Sequence, residues 1–211
     1  EIQSAGVVMS FSEIAALTLH DVKNRLAQLA GRAEAAGDVE TMRDAIAAAD
    51  ALTRLLVYYR AEIGSLGLNI DAHAPADLAA ELLDGQAAGD TCRVELDCSR
   101  APTLWFYDEA LVRMVLANAV QNARRHARTH VRIEVAEGDD GLEFLVRDDG
   151  PGYPDTVLDH VGTATRVSRN GTGLGLRLGR RVAEMHENAG QRGQIRLANE
   201  GGAVFRLILP R

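Results

Sequence analysis

The residues best suited to chemistry are one histidine early in the chain and three motifs further on that are rich in asparagine, aspartate and glycine. The histidine opens the segment His20-Asp21-Val22-Lys23-Asn24-Arg25-Leu26. Histidine is largely neutral at cellular pH, so a ring nitrogen with a free lone pair can attack a phosphorus atom. Glycine-rich turns that open a helix can hold the phosphates of a nucleotide. The sequence therefore predicts a phosphoryl acceptor upstream and a donor site downstream.

The three downstream motifs occur in a fixed order. They are Asn118-Ala119-Val120-Gln121-Asn122-Ala123-Arg124-Arg125-His126-Ala127, Asp148-Asp149-Gly150-Pro151-Gly152 and Gly171-Thr172-Gly173-Leu174-Gly175-Leu176. Any one alone is weak evidence, because glycine-rich turns also arise for conformational reasons. Together they resemble the GHKL (Bergerat) ATP-binding domain of sensor histidine kinases, type II topoisomerases, large chaperone ATPases and mismatch-repair ATPases. The His20 motif narrows the resemblance, over roughly residues 12–210, to two-component histidine kinases.

For the upstream motif, the resemblance implies that His20 is phosphorylated and passes the phosphoryl group to an aspartate of a response regulator. Asp21 is expected to accept a hydrogen bond from the ring, which fixes the tautomer and stabilises developing positive charge. Asn24 lies one helical turn further on the same face. An amide there positions water for dephosphorylation of the regulator in the family, so phosphatase activity is expected as well. Arg25 replaces a frequent proline, which predicts a straighter helix.

For the downstream motifs, the resemblance implies ATP and Mg²⁺ as cofactors. Asp148 can accept a hydrogen bond from the exocyclic amino group of adenine, and Gly150 and Gly152 would let the backbone approach the base and ribose. Asn122 offers Mg²⁺ a hard oxygen ligand. The backbone amides that open the helix near Leu174 form an anion site. The full set of nucleotide-binding candidates is Asn118, Asn122, Arg125, His126, Asp148, Gly150, Gly152, Thr172, Gly173, Leu174, Gly175 and Leu176.

Two alternatives to a kinase stay open. ATPases that use water typically carry a glutamate at the position of Asn118, so an ATP-hydrolysing clamp is disfavoured. The expected lid, residues 153–170, contains no phenylalanine, although many kinases have a phenylalanine motif there; Thr163, Thr165, Arg166 and Arg169 are its candidate phosphate contacts. This departure leaves open a phosphorelay adaptor, a histidine phosphotransferase whose ATP site does not work.

The expected fold class is α+β, with two modules. Apolar residues recur at helical spacing in two segments, which predicts a helical hairpin over residues 11–66 with a tight turn at Gly37. They are Leu19, Val22, Leu26, Leu29, Ala33 and Ala36, then Met42, Ile46, Ala49, Leu52, Leu56, Tyr59 and Ile63. Two helices alone cannot cover both faces, so we expect a homodimer with a four-helix bundle.

Mixed helix and strand patterns follow a linker between Ile63 and Pro75, and predict an α/β sandwich over residues 70–211. The predicted helices are Ala76–Gln86, Asp108–Arg128 and Leu174–His186. The predicted strands are Arg93–Asp97, Thr103–Phe106, Val131–Ala136, Leu142–Arg147 and two around Ile195 and Phe205. Residues 1–10 are interpreted as an N-terminal segment or an added remnant, because Met9 could be the natural start.

The composition excludes several classes. With 46% hydrophobic and 25% charged residues, the 211-residue chain is typical of a globular protein. A net charge of −7 argues against a nucleic-acid-binding surface. No stretch approaches the roughly 20 apolar residues that span a bilayer, so we expect a cytoplasmic protein without membrane contact. Cys92 and Cys98 lie in one predicted strand, about 20 Å apart at about 3.3 Å per residue, which excludes a disulfide between them.

Overall fold

The computed structural model of the protein describes residues 11–83, 92–158 and 173–211. The chain divides into two compact units, Glu1–Ile63 and Gly64–Arg211. The first is all helical in its described part, and the second is a mixed sheet with helices. The α+β class is therefore confirmed, while the predicted domain limits at residues 66 and 70 stay predictions.

The first unit is the predicted helical hairpin. Helix α1 spans Phe11–Ala35 and helix α2 spans Val39–Glu62. Gly37 adopts a left-handed φ of +72°, which a residue without Cβ reaches at no steric cost. Asp38 then caps α2, because its carboxylate accepts a hydrogen bond from the Thr41 backbone N–H at 3.0 Å. The turn is as tight as the sequence predicts.

Many large apolar side chains of the hairpin remain exposed. Alanines are buried in both helices, among them Ala33 in α1 and Ala45 in α2. The exposed residues are Leu17, Val22, Leu29, Val39, Ile46, Leu55 and Ile63, with 39–56% of their surface accessible. A single hairpin thus leaves much of its apolar surface in contact with water.

The second unit is built on a five-stranded sheet with strand order β2-β4-β5-β9-β8. Strands β2 and β4 run parallel, and the other neighbours are antiparallel. The five strands are β2 (Arg93–Arg100), β4 (His130–Gly138), β5 (Gly141–Asp148), β8 (Gln194–Asn199) and β9 (Ala203–Leu209). The last strand in the sequence therefore lies inside the sheet.

Helices cover one face of this sheet. Helix α4 (Glu109–His126) packs on β4 and β5, and helix α6 (Leu174–Met185) packs on β8 and β9. Side chains of a strand alternate between faces, so Val131, Ile133 and Val135 of β4 are buried together. The intervening positions are charged and form ion pairs, such as Arg132 with Asp97 at 2.9 Å. The core therefore lies between the helices and the apolar face.

Several short elements were not predicted. Strand β1 (Asp71–His73) lies within the stretch predicted as a linker and pairs with β3 (Trp105–Tyr107). A hairpin of β6 (Glu187–Asn188) and β7 (Gln191–Arg192) follows α6, and a one-turn helix, α5, spans Asp155–Leu158. Strands of two or three residues are too short to show an alternating pattern. They depend on contacts with residues distant in sequence.

Predicted boundaries differ from the observed ones by a few residues. Helix α3 (Pro75–Glu81) ends earlier than predicted, and α4 ends at His126 rather than at residue 128. Strand β2 begins at Arg93, so Cys92 lies just before it; both cysteines are free, which confirms that they do not bridge. Among the helices of the described residues, none is long and apolar enough to cross a membrane.

Candidate functional site

Asp148 is the last residue of β5 and is 6% exposed. Its Oδ1 accepts hydrogen bonds from the backbone N–H groups of Gly150, at 2.8 Å, and Ala203, at 3.2 Å. Within the described residues, Oδ2 has no hydrogen-bond partner. Backbone amides from two different segments thus fix the orientation of the carboxylate. The other oxygen has no partner among the described residues, and recognition of adenine by Asp148 stays a prediction.

Asp149, next in the chain, has a different task. Its carboxylate accepts hydrogen bonds from the backbone N–H groups of Arg128, Thr129 and His130 at 2.8–3.2 Å, and from the Thr129 hydroxyl at 2.7 Å. These bonds, first those of Thr129, hold the pKa of Asp149 well below its usual range. The residue joins the loop after β5 to the connection between α4 and β4. Sequence analysis did not assign it this role.

Gly150 and Gly152 pack closely against other parts of the second unit. A Cβ at Gly150 would lie 2.3 Å from the backbone oxygen of His126, so the loop packs directly against the end of α4. Gly152 has a φ of +85°, and a Cβ there would lie 2.6 Å from the Asn199 side chain. The sequence predicts that both glycines let the backbone approach the base and ribose of the nucleotide. The structure shows that protein atoms already fill the space of each absent side chain.

Asn199, at the end of β8, is a residue that sequence analysis missed. Its Oδ1 accepts a hydrogen bond from the Tyr153 backbone N–H at 2.7 Å, and its Nδ2 donates to the Tyr153 backbone oxygen at 2.9 Å. Burial, and next the charge of Asp148, raise the pKa of the Tyr153 phenol. No motif points to Asn199, because its partner is 46 residues away in the sequence.

The first and third motifs meet where α4 faces the start of α6. Asn118 and Asn122 stand one helical turn apart on α4, and both are partly exposed. A Cβ at Gly175 would lie 2.2 Å from Nδ2 of Asn118, so a side chain at this position would require the amide to move. The structure thereby brings Asn118 and Gly175 into contact. Arg125 and His126, at the other end of the motif, have exposed side chains.

The start of α6 is exposed or partly exposed among the described residues. Gly173 occupies the N-cap position with a left-handed φ of +63°, and no atom of a described residue lies within 4 Å of the place of its missing Cβ. Leu174, Gly175 and Leu176 follow in the first turn and are partly exposed. The N-terminal end of a helix carries partial positive charge and favours anions. Gly171 and Thr172 lie outside the described residues, as do the candidate lid contacts Thr163, Thr165, Arg166 and Arg169.

A buried histidine connects the far ends of the same two helices. His186, which caps the C-terminus of α6, accepts a hydrogen bond at Nε2 from the Asp108 backbone N–H at 3.0 Å, and its Nδ1 donates to the Val182 oxygen at 2.8 Å. Asp108 caps α4 through Leu111 and also accepts from the Asn69 backbone N–H at 2.8 Å. Burial lowers the pKa of His186, against the opposing effects of Val182 and Asp108.

The candidate acceptor, His20, lies in the hairpin unit with an exposed side chain. Its Nδ1 is 3.3 Å from Nδ2 of Asn24 and 3.7 Å from Oδ1 of Asp21. The predicted hydrogen bond between Asp21 and the ring is therefore not formed, because 3.7 Å exceeds hydrogen-bond distance. The predicted proximity of the three side chains is present.

Similarity to known proteins agrees with this arrangement. Residues 107–211 match the family described as histidine kinase-, DNA gyrase B- and HSP90-like ATPases. The signal transduction histidine-protein kinase AfsQ2 of Streptomyces coelicolor is 35% identical over 169 residues, which cover 76% of this chain and 30% of that protein. The chain belongs to the two-component sensor histidine kinases. It spans about a third of the length of the curated relatives that it matches.

Solved histidine kinase structures share the fold. Full-length ShkA in complex with AMPPNP has a TM-score of 0.71 and 19% identity, covering 94% of this chain and 45% of that chain. The ATP-binding domain of PrrB from Mycobacterium tuberculosis has a TM-score of 0.52 and 26% identity, covering 67% of this chain and 97% of that domain. In this histidine kinase chain, the second unit therefore has the fold of a GHKL ATP-binding domain. In its described residues, no group of three or more His, Cys, Asp or Glu side chains could hold a metal ion.

Proposed function

We propose that this histidine kinase transfers the γ-phosphoryl group of ATP to His20 and then to an aspartate of a response regulator. The observation that carries the proposal is the convergence of the three downstream motifs in one unit. Asp148 is held in place with one oxygen unpaired among the described residues, and the Asn118 amide contacts Gly175. The relatives named as histidine kinases support the same reaction. The proposed domains are residues 11–66 for dimerisation and phosphotransfer and 70–211 for catalysis.

At the acceptor, Nε2 of His20 attacks the γ-phosphorus while the bond from that phosphorus to the bridging oxygen breaks and ADP leaves. Attack requires a lone pair on Nε2 and hence a proton on Nδ1. The negative charge of Asp21, 3.7 Å from Nδ1, favours this tautomer and stabilises the positive ring that forms. The Asn24 contact acts against this tautomer, because its Nδ2 can only donate a hydrogen bond to Nδ1, so attack by Nε2 requires that contact to break.

At the donor site, Oδ2 of Asp148, which has no partner among the described residues, would accept a hydrogen bond from the exocyclic amino group of adenine. Guanine has no amino group at that position. The N-terminal end of α6 would hold phosphate oxygens. Asn122 would supply its amide oxygen to Mg²⁺, which neutralises charge on the phosphates when bound. Asn118 has no carboxylate to activate water, so transfer to histidine is favoured over hydrolysis.

The partners proposed are a second copy of the chain and a response regulator. A second hairpin would cover the exposed residues Val22, Leu29 and Ile46 in a four-helix bundle. The regulator would then dock beside His20, whose side chain is exposed. The Asn24 amide, close to the histidine, would position water for the phosphatase reaction on the regulator.

The test is incubation with Mg²⁺ and γ-labelled ATP, followed by measurement of acid-labile, base-stable label. We expect wild type to be labelled and His20→Gln to remain unlabelled. Asn118→Ala should reduce labelling without removing the acceptor. Label that persists in His20→Gln would contradict the assignment of the acceptor.

A phosphorelay adaptor remains the second candidate, on the observation that the lid lacks a phenylalanine. An adaptor would show no label from ATP but would still accept a phosphoryl group at His20 from a phosphorylated regulator. ATP hydrolysis far exceeding phosphohistidine formation would instead indicate a hydrolytic clamp. These three outcomes distinguish the three classes of protein.

A further inference from the structure

We infer that Asn199 is a positioning residue for nucleotide binding, acting as an amide clamp on the loop Gly152–Tyr153. The inference rests on the proposed function, because it requires this loop to border the nucleotide. Asn199 lies at the end of β8, remote in sequence from the three motifs.

The clamp consists of two hydrogen bonds to the same residue. Oδ1 of Asn199 accepts from the Tyr153 N–H at 2.7 Å, and Nδ2 donates to the Tyr153 oxygen at 2.9 Å. A carboxamide is the side-chain group that presents a donor and an acceptor side by side. The pair satisfies both backbone groups of Tyr153, as a neighbouring strand would. The bonds therefore fix the path of the chain at this residue.

Contact with Gly152 adds a second constraint. A Cβ at Gly152 would lie 2.6 Å from Oδ1, 2.7 Å from Cγ and 2.9 Å from Nδ2 of Asn199. The amide thus packs flat against the glycine, which has a left-handed φ of +85°. The absence of a side chain at Gly152 is what allows Asn199 to reach Tyr153. The position of the Asn199 amide therefore depends on a glycine at position 152.

The turn from β8 to β9 strengthens the same connection. A Cβ at Gly202 would lie 1.9 Å from the Asp148 backbone oxygen, and the Ala203 N–H donates to the Asp148 carboxylate at 3.2 Å. Asn199 and Ala203 are paired residues on either side of this turn. One turn therefore holds both ends of the segment from Asp148 to Tyr153. Within this turn, Asn199 acts through its side chain, whereas Gly202 and Ala203 act through their backbone.

Two variants and one control test the inference. Asn199→Ala removes both hydrogen bonds, whereas Asn199→Asp keeps the shape but places an oxygen opposite the Tyr153 oxygen. Gln194→Ala is the matched control, because it shortens an exposed amide side chain at the other end of β8. The dissociation constant for ADP with Mg²⁺ is measured by calorimetry on the full chain. Backbone amide exchange at Tyr153 is followed on the same samples.

We expect both Asn199 variants to bind ADP about fivefold more weakly, as the loss of about one net hydrogen bond would give. The KM for ATP should rise by a similar factor, while kcat for phosphohistidine formation stays within about twofold, because Asn199 touches no reacting atom. Exchange at the Tyr153 amide should accelerate. Gln194→Ala should match wild type in all three measurements.

Equal ADP affinity of Asn199→Ala and wild type would overturn the inference and leave the proposed function intact. Failure of wild type itself to bind ADP would instead overturn the proposed nucleotide site, and the inference with it. If Asn199→Ala does not fold, Asn199→Asp decides the matter, because it differs from wild type at one side-chain group. A fall in kcat with unchanged KM would also contradict a positioning role.

Discussion

Two neighbouring aspartates, identical in chemistry, are given different tasks by their surroundings. Asp148 faces the buried side of the sheet and keeps one oxygen unpaired among the described residues. Asp149 lies just beyond β5 and uses both oxygens on backbone and hydroxyl donors of the connection between α4 and β4. The different partners that surround the two carboxylates produce this difference. Each aspartate therefore has its own testable consequence.

Replacement of Asp148 by asparagine should weaken ADP binding by between about tenfold and about a hundredfold. The new amide can keep its oxygen on the Gly150 and Ala203 N–H groups, but its nitrogen cannot accept a hydrogen bond from adenine. Calorimetric titration with ADP measures the change. The thermal midpoint should stay near that of wild type, and an unchanged ADP affinity would show that Asp148 does not read the base.

Replacement of Asp149 by alanine should lower the stability of the second unit more than its ADP affinity. The pKa of Asp149 is lowered in the folded state, so its contribution is complete above the unfolded pKa of about 3.9. That contribution is lost as the pH falls through the folded value. Urea titrations at pH 7 and at acidic pH should therefore give a difference between variant and wild type that shrinks on acidification. A constant difference would refute this account.

Sequence reasoning was strongest at residues whose motif carries the information. Asp148, Asn118 and Gly175 were predicted as site residues, and the structure brings the last two into contact. Asn199 was not predicted, because asparagine at a strand end is unremarkable until its partner loop is known. The contact between Gly150 and the His126 backbone oxygen was not predicted either, and the role of Gly150 toward the nucleotide stays a prediction. Such contacts join residues that are distant in sequence, so the motif alone does not reveal them.

At the scale of elements, long segments with a clear apolar period were predictable. Helix α4, predicted as Asp108–Arg128, buries residues that recur at helical spacing on one face: Leu111, Val112, Val115, Leu116, Ala119, Val120 and Ala123. Strand β1 and the β6–β7 hairpin have no such period. In the hairpin, Ala189 has a φ of +50°, a conformation that propensity does not favour for alanine. Pairing with neighbours decides these short elements.

His186 predicts a pH dependence for the packing of α4 and α6. Its pKa is lowered by burial, so the folded state favours the neutral ring, which accepts from the Asp108 N–H. The contribution of His186 is then complete above the unfolded pKa of about 6.5 and is lost as the pH falls through the folded value. Urea unfolding between pH 7.5 and about 5 should show wild type losing stability relative to His186→Gln.

The comparison with His186→Gln removes the contribution of other titrating groups, which both proteins share. Asn69, Leu111 and the carboxylate of Asp108 remain in place in the variant. Parallel pH profiles of the two proteins would mean that the histidine is not the acid-sensitive contact. Divergence that begins above pH 7 would be equally incompatible with a lowered pKa.

At the scale of the whole molecule, the exposed apolar side chains of the helical hairpin predict that the chain forms a dimer. Ile46 is 48% exposed in the single chain, although it belongs to the predicted apolar seam. Ile46→Asp would bring carboxylates into a dimer interface and should shift the chain from dimer to monomer. Sedimentation equilibrium measures the mass, and Ile46→Val, which keeps an apolar side chain, is the control. A wild-type chain that sediments as a monomer at micromolar concentration would contradict the proposed bundle.

The position of β9 has a consequence for biosynthesis. Strand β9 pairs with β5 on one side and β8 on the other, so the sheet remains split until residues 203–209 have emerged from the ribosome. The hairpin, by contrast, needs only contacts close in sequence and can form while synthesis continues. A chain that stops at residue 202 should show helical circular dichroism from the hairpin but no cooperative unfolding of the second unit. Within this sequence, translation therefore completes the helical hairpin before the second unit, and the sheet that carries the proposed nucleotide site forms only with β9.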